Sequence, residues 1–282
     1  EEDRSFRDTC KKRTIGYLSH DFRNHPVAQL MMGIFACHDR RRFTVNAYSY
    51  GENDNSYYRK IIQSTSDRFV EIRELSPWEA ARKIREDKVD ILVDLMGYTR
   101  NHRFEICAYR PAPIQVAYLG YPGTTGADFM DYIIVDRIVV PPEHASFFTE
   151  KLVTMPHSYI FGDGTQTISE SPLRKQENLP EEGFVFCSFN QPYKIEPVLF
   201  DVWMNMLKQI PGSVLWTHRR PEPVPDNLRR EAEIRGVSGD RVVFAERAPT
   251  KADHIARIQL ADLALDTQVY NGHVTTLDAL WA

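Results

Sequence analysis

Residues 266–282, DTQVYNGHVTTLDALWA, place a glycine, a histidine and two threonines at the start of a predicted helix. The backbone N–H groups from Gly272 to Thr276 would lie at the positive end of that helix beside two hydroxyls, an arrangement that binds phosphate. Asp278, three residues after Thr275, would face the same side, where it could accept hydrogen bonds from a ribose. The same residues also fit plain capping by Thr275 or Thr276, with Asp278 interacting with the helix dipole.

A lysine follows another predicted strand. In FNQPYKIEP, Lys194 falls at the first turn of the next predicted helix, where a cation opposes the helix dipole. A bound anion would remove that conflict, and Asn190 and Gln191 would add neutral donors beside it. The alternative is a solvated lysine whose aliphatic stem packs on the surface.

Three cationic or aromatic side chains share one side of a later predicted helix. In APTKADHIAR, the spacing of three between Lys251, His254 and Arg257 would let them line a nucleotide pocket. The same spacing is typical of a solvated helix face. The residues alone leave both interpretations open.

Histidines follow the first predicted strand. SHDFRNHPV puts His20 and Asp21 directly after it and His25 at the start of a helix. There the helix dipole disfavours the protonated ring and could keep His25 a neutral donor or acceptor. The alternative is that His25 is simply a helix cap.

Familiar phosphate and metal motifs are missing. The glycines of GYPGTTG permit close backbone approach, but the sequence has neither G-x-G-x-x-G nor the lysine of a P-loop. No Asp-x-Asp that would hold a divalent metal on a sugar diphosphate follows a predicted strand.

These segments follow strands in an alternating strand–helix pattern, which predicts an α/β fold of two doubly wound, Rossmann-like lobes. The predicted strands are TIGYLS, RFTVNAYSY, VDILVDLMGY, APIQVAYLGYPG and DYIIVD, then FVFCSFN, SVLWTH, RVVFAE and LADLALD. Ser76, Pro77 and Glu79 predict a capped helix start, Thr250 predicts another, and Gly236 predicts a helix end.

The predicted organisation has four parts. Residues 1–12 are a tail or the end of a preceding helical repeat region, and residues 13–160 form the N-terminal catalytic lobe. The polar run over residues 161–182 is a linker, and residues 183–282 form a nucleotide-sugar-binding lobe that is incomplete.

Composition narrows the class of protein. The chain has 282 residues, a net charge of −4 and four cysteines without a C-x-x-C pair. It has no signal-peptide core and no apolar run of the roughly 18 residues that a membrane span needs. We expect a cytoplasmic protein that binds neither membrane nor nucleic acid.

Together the motifs resemble the catalytic region of O-linked N-acetylglucosamine transferase, glycosyltransferase family 41, in a bacterial-like form. The resemblance runs in order from Arg13 to Ala282, and it is carried by IGYLSHDFRNHP, ILVDLMGYT, RPAPIQVAYLGYPGTTGADFMDYIIVD, EKLVTMPHSYIFGD, FNQPYKIEP, SVLW, QLADLALDT and NGHVTTLDALWA. It implies a GT-B glycosyltransferase with a truncated C-terminal lobe. Such an enzyme moves N-acetylglucosamine from UDP-GlcNAc to Ser or Thr hydroxyls of proteins, with inversion and without metal or cofactor, and releases UDP.

The resemblance also implies residue roles. Lys194 would neutralise charge on the leaving UDP, and His25 would face the sugar or acceptor as a positioning group or base. The implied contacts to the nucleotide sugar are Gln191 and Asn190 at the diphosphate, Thr275 and the backbone around His273 and Val274 at the phosphates, Asp278 at the ribose, Lys251 and His254 at the uracil, and Arg257, Thr99 and Gly123 elsewhere.

The chain departs from the family pattern in several places. Val274 stands where the family commonly has a threonine, the long insertion of animal members is absent, and the tetratricopeptide repeats expected upstream are missing. Two alternatives stay open. One is a protein O-fucosyltransferase that uses GDP-fucose, against which His25, His273 and the FNQ triplet argue. The other is a non-catalytic, scaffold-like relative, which Val274 and the incomplete lobe favour.

Overall fold

The computed structural model describes residues 12–162, 164 and 166–282. The chain divides into two compact units between residues 163 and 164. Of the predicted N-terminal tail, residues 1–11 lie outside the described residues.

The first unit is a parallel sheet with helices between its strands. Its described strands are β1 (Arg13–Ser19), β2 (Phe43–Ser49), β3 (Arg68–Glu71), β4 (Ile91–Asp94), β5 (Ile114–Ala117), β6 (Tyr132–Asp136) and β7 (Lys151–Met155), in the order β3-β2-β1-β4-β5-β6-β7. Its described α-helices are α1 (Pro26–Cys37), α2 (Tyr57–Thr65), α3 (Pro77–Glu86) and α4 (Glu105–Ala108). The strand order reverses between β1 and β4, and in such sheets ligands bind at the carboxyl ends beside the reversal.

Local sequence explains where two helices of this unit begin. Pro26 opens α1, with the extended residue His25 as its N-cap. Ser76 and Glu79 form the predicted capping box of α3. Both helix starts confirm the prediction.

Four of the described helices and strands of the first unit escaped the sequence analysis: α2, the single-turn helix α4, β3 and β7. Helix α2 buries only Arg59 and Ile62, so its apolar stripe is too thin to stand out. Strands β3 and β7 are the two edges of the sheet, and none of their residues is buried. Their sequences therefore lack the continuous apolar run of the central strands.

The second unit is a smaller parallel sheet. Its described strands are β8 (Val185–Ser188), β9 (Val214–His218), β10 (Val242–Ala245) and β11 (Leu263–Ala264), in the order β10-β9-β8-β11. Its described α-helices are α5 (Pro197–Gln209), α6 (Val224–Ile234), α7 (Lys251–Ile258) and α8 (Val274–Trp281). The order reverses between β8 and β11, so the loops after these two strands emerge side by side.

The chain leading into β8, residues 166–182, runs along the second unit. Ser171 Oγ donates to the carbonyl of Ala256 at 3.0 Å, and Arg174 donates to the carbonyl of Gly183 at 2.8 Å. Helix α6 is followed by Gly236 at a φ of +74°, and Thr250 caps α7 as predicted. Strand β11 is shorter than the predicted run LADLALD.

Two further features concern membranes and thiols. No helix within the described residues is both long enough and apolar enough to cross a membrane. Cys37 is exposed, Cys107 and Cys187 are buried, and all three are free thiols.

Candidate functional site

The loop between β11 and α8 is closed around one carboxylate. Asp266 Oδ1 accepts from the backbone N–H of Thr267 at 2.8 Å and of Gly272 at 2.7 Å. It also accepts from the side-chain amide of Asn190, which follows β8, at 3.2 Å. Because β8 and β11 are neighbours, this carboxylate ties together the loops that follow both strands.

Helix α8 begins with two backbone donors that have no acceptor within the helix. Its N-cap is His273, whose side chain makes no capping hydrogen bond. The first bonds within the helix run from the N–H groups of Thr276 and Leu277 to the carbonyl of His273. The N–H groups of Val274 and Thr275 precede those bonds and so have no acceptor within the helix. The prediction that Thr275 or Thr276 caps α8 is therefore wrong.

The two threonine hydroxyls converge on Gly272. Thr275 Oγ1 donates to Asn190 Oδ1 at 3.0 Å. A Cβ atom added to Gly272 would lie 2.5 Å from the hydroxyl oxygens of both Thr275 and Thr276. Residues 272–276 therefore form a small concave segment of N–H and O–H groups, which we call the phosphate cradle.

Lys194 lies beside the phosphate cradle, although its local structure differs from the prediction. It ends a short 3-10 turn, Pro192–Lys194, and α5 begins only at Pro197, so it does not oppose the dipole of that helix. Its Nζ donates to the carbonyl of Asn271 at 2.8 Å. Burial lowers its pKa, and the charge of Asp266 opposes that shift. Gln191 precedes the same turn and is exposed.

A buried ion pair joins α7 to α8. Lys251 Nζ donates to Asp278 Oδ2, and His254 Nε2 lies 3.9 Å from the same oxygen. Burial raises the pKa of Asp278, and the Lys251 ammonium opposes that shift. The carboxylate predicted to hold a ribose is thus beside the two side chains predicted to hold a uracil.

Aromatic rings surround His254. It stacks on His218, with ring centres 5.2 Å apart and an angle of 24°, and meets the edge of Phe189 at 5.2 Å. Arg257 donates to His254 Nδ1 at 3.1 Å, which leaves the proton of the neutral ring on Nε2. Burial, reinforced by Arg257, lowers the pKa of both His218 and His254 to about 3.

The burial of the α7 side chains excludes the interpretation that they form a solvated helix face. Arg257 is 3% exposed and also donates to the carbonyl of Glu246, while Lys251 and His254 face the ion pair and the rings. The alternative that these three residues form a solvated face is therefore wrong. Through His254, this side of α7 contacts Phe189, which follows β8, and His218, which ends β9.

The sequence analysis missed four residues of this group: Phe189, His218, Asp266 and Tyr270. Position gave a usable signal for two of them. His218 is the last residue of β9, and Asp266 closely follows β11, where site residues of a parallel sheet collect. Phe189 and Tyr270 had no such signal because an aromatic residue beside a strand is usually core.

The first unit carries a separate group of polar side chains after β1. Asp21 is buried, and its carboxylate contacts His20 Nδ1 at 3.0 Å, Arg23 Nη2 at 3.1 Å and His25 Nδ1 at 3.3 Å. The N–H of Val27 also donates to His25 Nδ1 at 3.3 Å, so His25 caps α1. Burial lowers the pKa of His25, and Asp21 opposes that shift.

Thr99 and Gly123 lie in the loops after β4 and β5, at the same sheet edge as His25. Thr99 Oγ1 donates to the carbonyl of Met96 at 2.9 Å. The two loops touch, since a Cβ added to Gly97 would lie 2.6 Å from Tyr121 Cβ. Each unit therefore gathers its own predicted residues at the carboxyl ends of its strands.

Metal ligands do not cluster in the described part of the chain. Among residues 12–162, 164 and 166–282, no group of three or more His, Cys, Asp or Glu side chains is arranged to hold a metal ion.

Two Rossmann-like units with polar side chains at the carboxyl ends of their strands match the fold of a GT-B glycosyltransferase. The sequence model described as Glycosyl transferase family 41 matches residues 2–171 and 168–282, and the chain belongs to that family.

A plant relative and an animal relative match nearly the whole chain. The probable UDP-N-acetylglucosamine–peptide N-acetylglucosaminyltransferase SEC of Arabidopsis thaliana is 42% identical over 96% of this chain and 28% of its own length. The UDP-N-acetylglucosamine–peptide N-acetylglucosaminyltransferase of Caenorhabditis elegans is 32% identical over 95% of this chain and 33% of its own. That alignment extends over 380 residues, so the worm protein carries residues that this chain lacks.

A solved bacterial structure matches both units. A mutant of the Thermobaculum terrenum O-GlcNAc transferase has a TM-score of 0.88 and 31% identity, over 97% of this chain and 52% of that one. The chain thus spans about a third or less of the two named relatives and about half of the solved chain. The prediction of a family 41 catalytic region with a GT-B fold is confirmed.

Proposed function

We propose that the protein containing this chain transfers N-acetylglucosamine from UDP-GlcNAc to Ser or Thr hydroxyls of proteins. Membership of family 41 and the names of the Arabidopsis, worm and bacterial relatives support this activity. The second unit would bind the donor. The same proposal places the enzyme in the cytoplasm, with tetratricopeptide repeats upstream that present the protein acceptor.

One observation carries the donor site. Lys194 has no carboxylate within ion-pair distance among the described residues, and its ammonium lies between the carbonyl of Asn271 and the ring of Tyr270. A carbonyl and a ring face are weak partners for a full positive charge. A diphosphate in the adjacent phosphate cradle would supply the missing anion, and the N–H groups of Val274 and Thr275 would donate hydrogen bonds to its oxygens.

The nucleoside would occupy the face formed by α7. The ring of His254 is neutral at physiological pH, so it can stack on a flat uracil without bringing a charge into a buried place. Lys251 and His254 both contact Oδ2 of Asp278. We therefore propose that the other oxygen, Oδ1, accepts a hydrogen bond from a ribose hydroxyl. Arg257 would fix the orientation of the His254 ring through its hydrogen bond to Nδ1. Asn190 and Gln191 would contact the diphosphate.

The chemistry follows from where charge develops. As the bond between the sugar and the diphosphate breaks, the sugar passes through an oxocarbenium-like state and negative charge grows on the departing UDP. We propose that Lys194 and the phosphate cradle stabilise that charge in place of a metal. Attack by the acceptor on the opposite face of the sugar would invert the anomeric centre. His25, Thr99 and Gly123 would act on the sugar or acceptor side.

A transfer assay tests this proposal. The protein, with EDTA present, is incubated with a Ser/Thr-rich acceptor protein and radiolabelled UDP-GlcNAc, and in parallel with radiolabelled GDP-fucose. We expect label from UDP-GlcNAc alone, its loss in Lys194→Met, and no effect of Lys208→Met, which changes an exposed lysine of α5. Label from GDP-fucose would establish the fucosyl alternative. Donor binding without transfer would favour the scaffold-like alternative.

A further inference from the structure

A chain of side-chain hydrogen bonds links the loop after β11 to the first turn of α8. The side-chain amide of Asn190 donates from Nδ2 to Asp266 Oδ1 at 3.2 Å, and Thr275 Oγ1 donates to Asn190 Oδ1 at 3.0 Å. Asn190 is 4% exposed, so little water competes for these bonds. Three segments that are distant in sequence are thus connected through one buried amide.

The chemistry of the three groups fixes the direction of this chain. An ionised carboxylate can only accept hydrogen bonds, so the amide must turn its NH2 group toward Asp266 and its oxygen toward Thr275. The amide oxygen is also only an acceptor, so the hydroxyl of Thr275 supplies the proton. This hydroxyl therefore anchors α8 to Asn190, and Thr275 is left to meet a ligand through its backbone N–H.

The same carboxylate oxygen also holds the backbone just before α8. Asp266 Oδ1 accepts from the N–H of Gly272 at 2.7 Å and from the N–H of Thr267 at 2.8 Å. The N-cap residue that follows Gly272, His273, makes no capping hydrogen bond with its side chain. The start of α8 is therefore held by Asp266 in two ways, directly at Gly272 and through the amide at Thr275.

By charge alone, a carboxylate is an unfavourable neighbour for an anion. Burial lowers the pKa of both Lys194 and His273, and the negative charge of Asp266 opposes that shift, so the charge acts on the phosphate cradle. Removal of the charge would strengthen diphosphate binding if the carboxylate had no other effect. Loss of its hydrogen bonds would instead release the first turn of α8 and weaken binding. The two effects have opposite signs, so one measurement separates them.

We propose that Asp266 is a positioning residue for the donor diphosphate. Its hydrogen bonds hold Gly272 directly and Thr275 through Asn190, and so fix the first turn of α8. The N–H groups of that turn then meet the diphosphate already ordered, which lowers the entropic cost of binding. This inference rests on the proposed function for the identity of the ligand.

Calorimetric titration with UDP tests the sign of the effect. Asp266→Asn keeps the shape of the side chain and removes its charge, and because Asp266 is exposed the change does not disturb a core. We expect the affinity for UDP to fall about 3–10-fold, since a neutral acceptor replaces a charged one. Unchanged or tighter binding of UDP would overturn the proposal.

Glu196→Gln is the matched control for charge. It removes a negative charge two residues from Lys194 in the sequence, and the side chain of Glu196 makes no capping hydrogen bond on α5. We expect the affinity for UDP to stay the same or to rise slightly in this variant. An equal fall in the two variants would show that the loss in Asp266→Asn does not depend on its hydrogen bonds, and would overturn the proposal.

The side-chain amide of Asn190 reports the hydrogen-bond chain without any nucleotide. In protein labelled with 15N, the NH2 signals of Asn190 are assigned by their loss in Asn190→Ser. We expect two widely separated proton shifts in the unchanged protein, which move toward those of a solvated amide in Asp266→Asn. Signals that stay in place in Asp266→Asn would overturn the proposal. The expected movement in a protein that binds no UDP would count against the proposed function alone.

A double-mutant cycle tests whether Thr275 acts through the same chain. Thr275→Val removes the hydroxyl at similar volume, whereas Thr275→Ser keeps it. We expect Thr275→Val to weaken UDP binding, Thr275→Ser to preserve it, and Thr275→Val to add little further loss to Asp266→Asn. Losses that simply add would show that the hydroxyl acts independently of Asp266, and would overturn the proposal. Circular dichroism checks that all variants fold.

Discussion

The ammonium group of Lys194 lies over the ring of Tyr270, 4.0 Å from its centre. The contact joins the loop after β8 to the loop after β11, the two strands between which the strand order of the second unit reverses. The ring and the carbonyl of Asn271 hold the lysine in place without neutralising it. The second unit thus holds a positioned cation beside the N–H groups of Val274 and Thr275, which have no acceptor within α8, and we propose that a diphosphate binds there.

The first prediction concerns that cation. Replacing Lys194 by Met removes the charge and keeps most of the side-chain volume. We expect the affinity for UDP to fall about 10–100-fold, the effect of losing one hydrogen bond to a charged group. Calorimetric titration measures it. Lys208→Met is the control, and equal losses in the two variants would show that the effect is general electrostatics and not the site.

The second prediction concerns the shape of the phosphate cradle. In Gly272→Ala the new methyl group would lie 2.5 Å from the hydroxyl oxygens of Thr275 and Thr276, so it would fill the concave segment. We expect UDP affinity to fall at least about tenfold, since the loss of one or more charge-assisted hydrogen bonds suffices for that. Gly162→Ala is the control, because a Cβ there has no neighbour within 4 Å. Unchanged UDP binding by Gly272→Ala would mean that phosphate binds elsewhere.

The third prediction is that one substitution in the phosphate cradle increases the affinity for UDP. Val274 is the first residue of α8, at the position where the resemblance to the family leads us to expect a threonine. Val274→Thr would add one hydroxyl to the phosphate cradle at similar volume, and we expect UDP to bind about 2–10-fold more tightly, the effect of one hydrogen bond. The competing expectation is that Thr276 already compensates. In that case Val274→Thr changes nothing and Thr276→Val weakens binding.

The fourth prediction concerns stability and pH. The pKa values of His218 and His254 are lowered to about 3 in the folded protein, whereas unfolded histidine titrates near about 6.5. Their contribution to stability is fully present above pH ~6.5 and is lost as pH falls, because only the unfolded chain then binds the protons. Below that pH, each histidine adds a slope of about 1.4 kcal/mol per pH unit to the free energy of unfolding.

Urea unfolding between pH 8 and pH 5 measures this slope. His218→Gln should remove the part that one histidine contributes, whatever it does to stability at pH 8. A variant that keeps the full slope would show that His218 is protonated in the folded protein.

Local chemistry was readable from the sequence. His25 at the start of α1, the capping box of Ser76 and Glu79, and Thr250 as the cap of α7 depend only on neighbouring residues, and all are found where expected. The error at Lys194 was also local. Glu196 precedes a proline, which disfavours helical backbone, so α5 cannot extend back to the lysine.

Contacts between distant segments were not readable. The stack of His218 on His254 depends on the position of β9 relative to α7, and the Asp266 carboxylate reaches Asn190 only because β11 pairs with β8. The Lys251–Asp278 ion pair likewise joins two helices. Side-chain types near strand ends indicated a site, but pairing across the sheet decided which side chains meet.

The most direct test of the central claim is calorimetric titration with UDP and with GDP, in EDTA, of the unchanged protein and Lys194→Met. We predict that UDP binds with micromolar affinity and more tightly than GDP, and that Lys194→Met weakens the binding. Tighter binding of GDP than of UDP, or an affinity for UDP that is unchanged in Lys194→Met, would contradict the assignment of this unit as the UDP-sugar site.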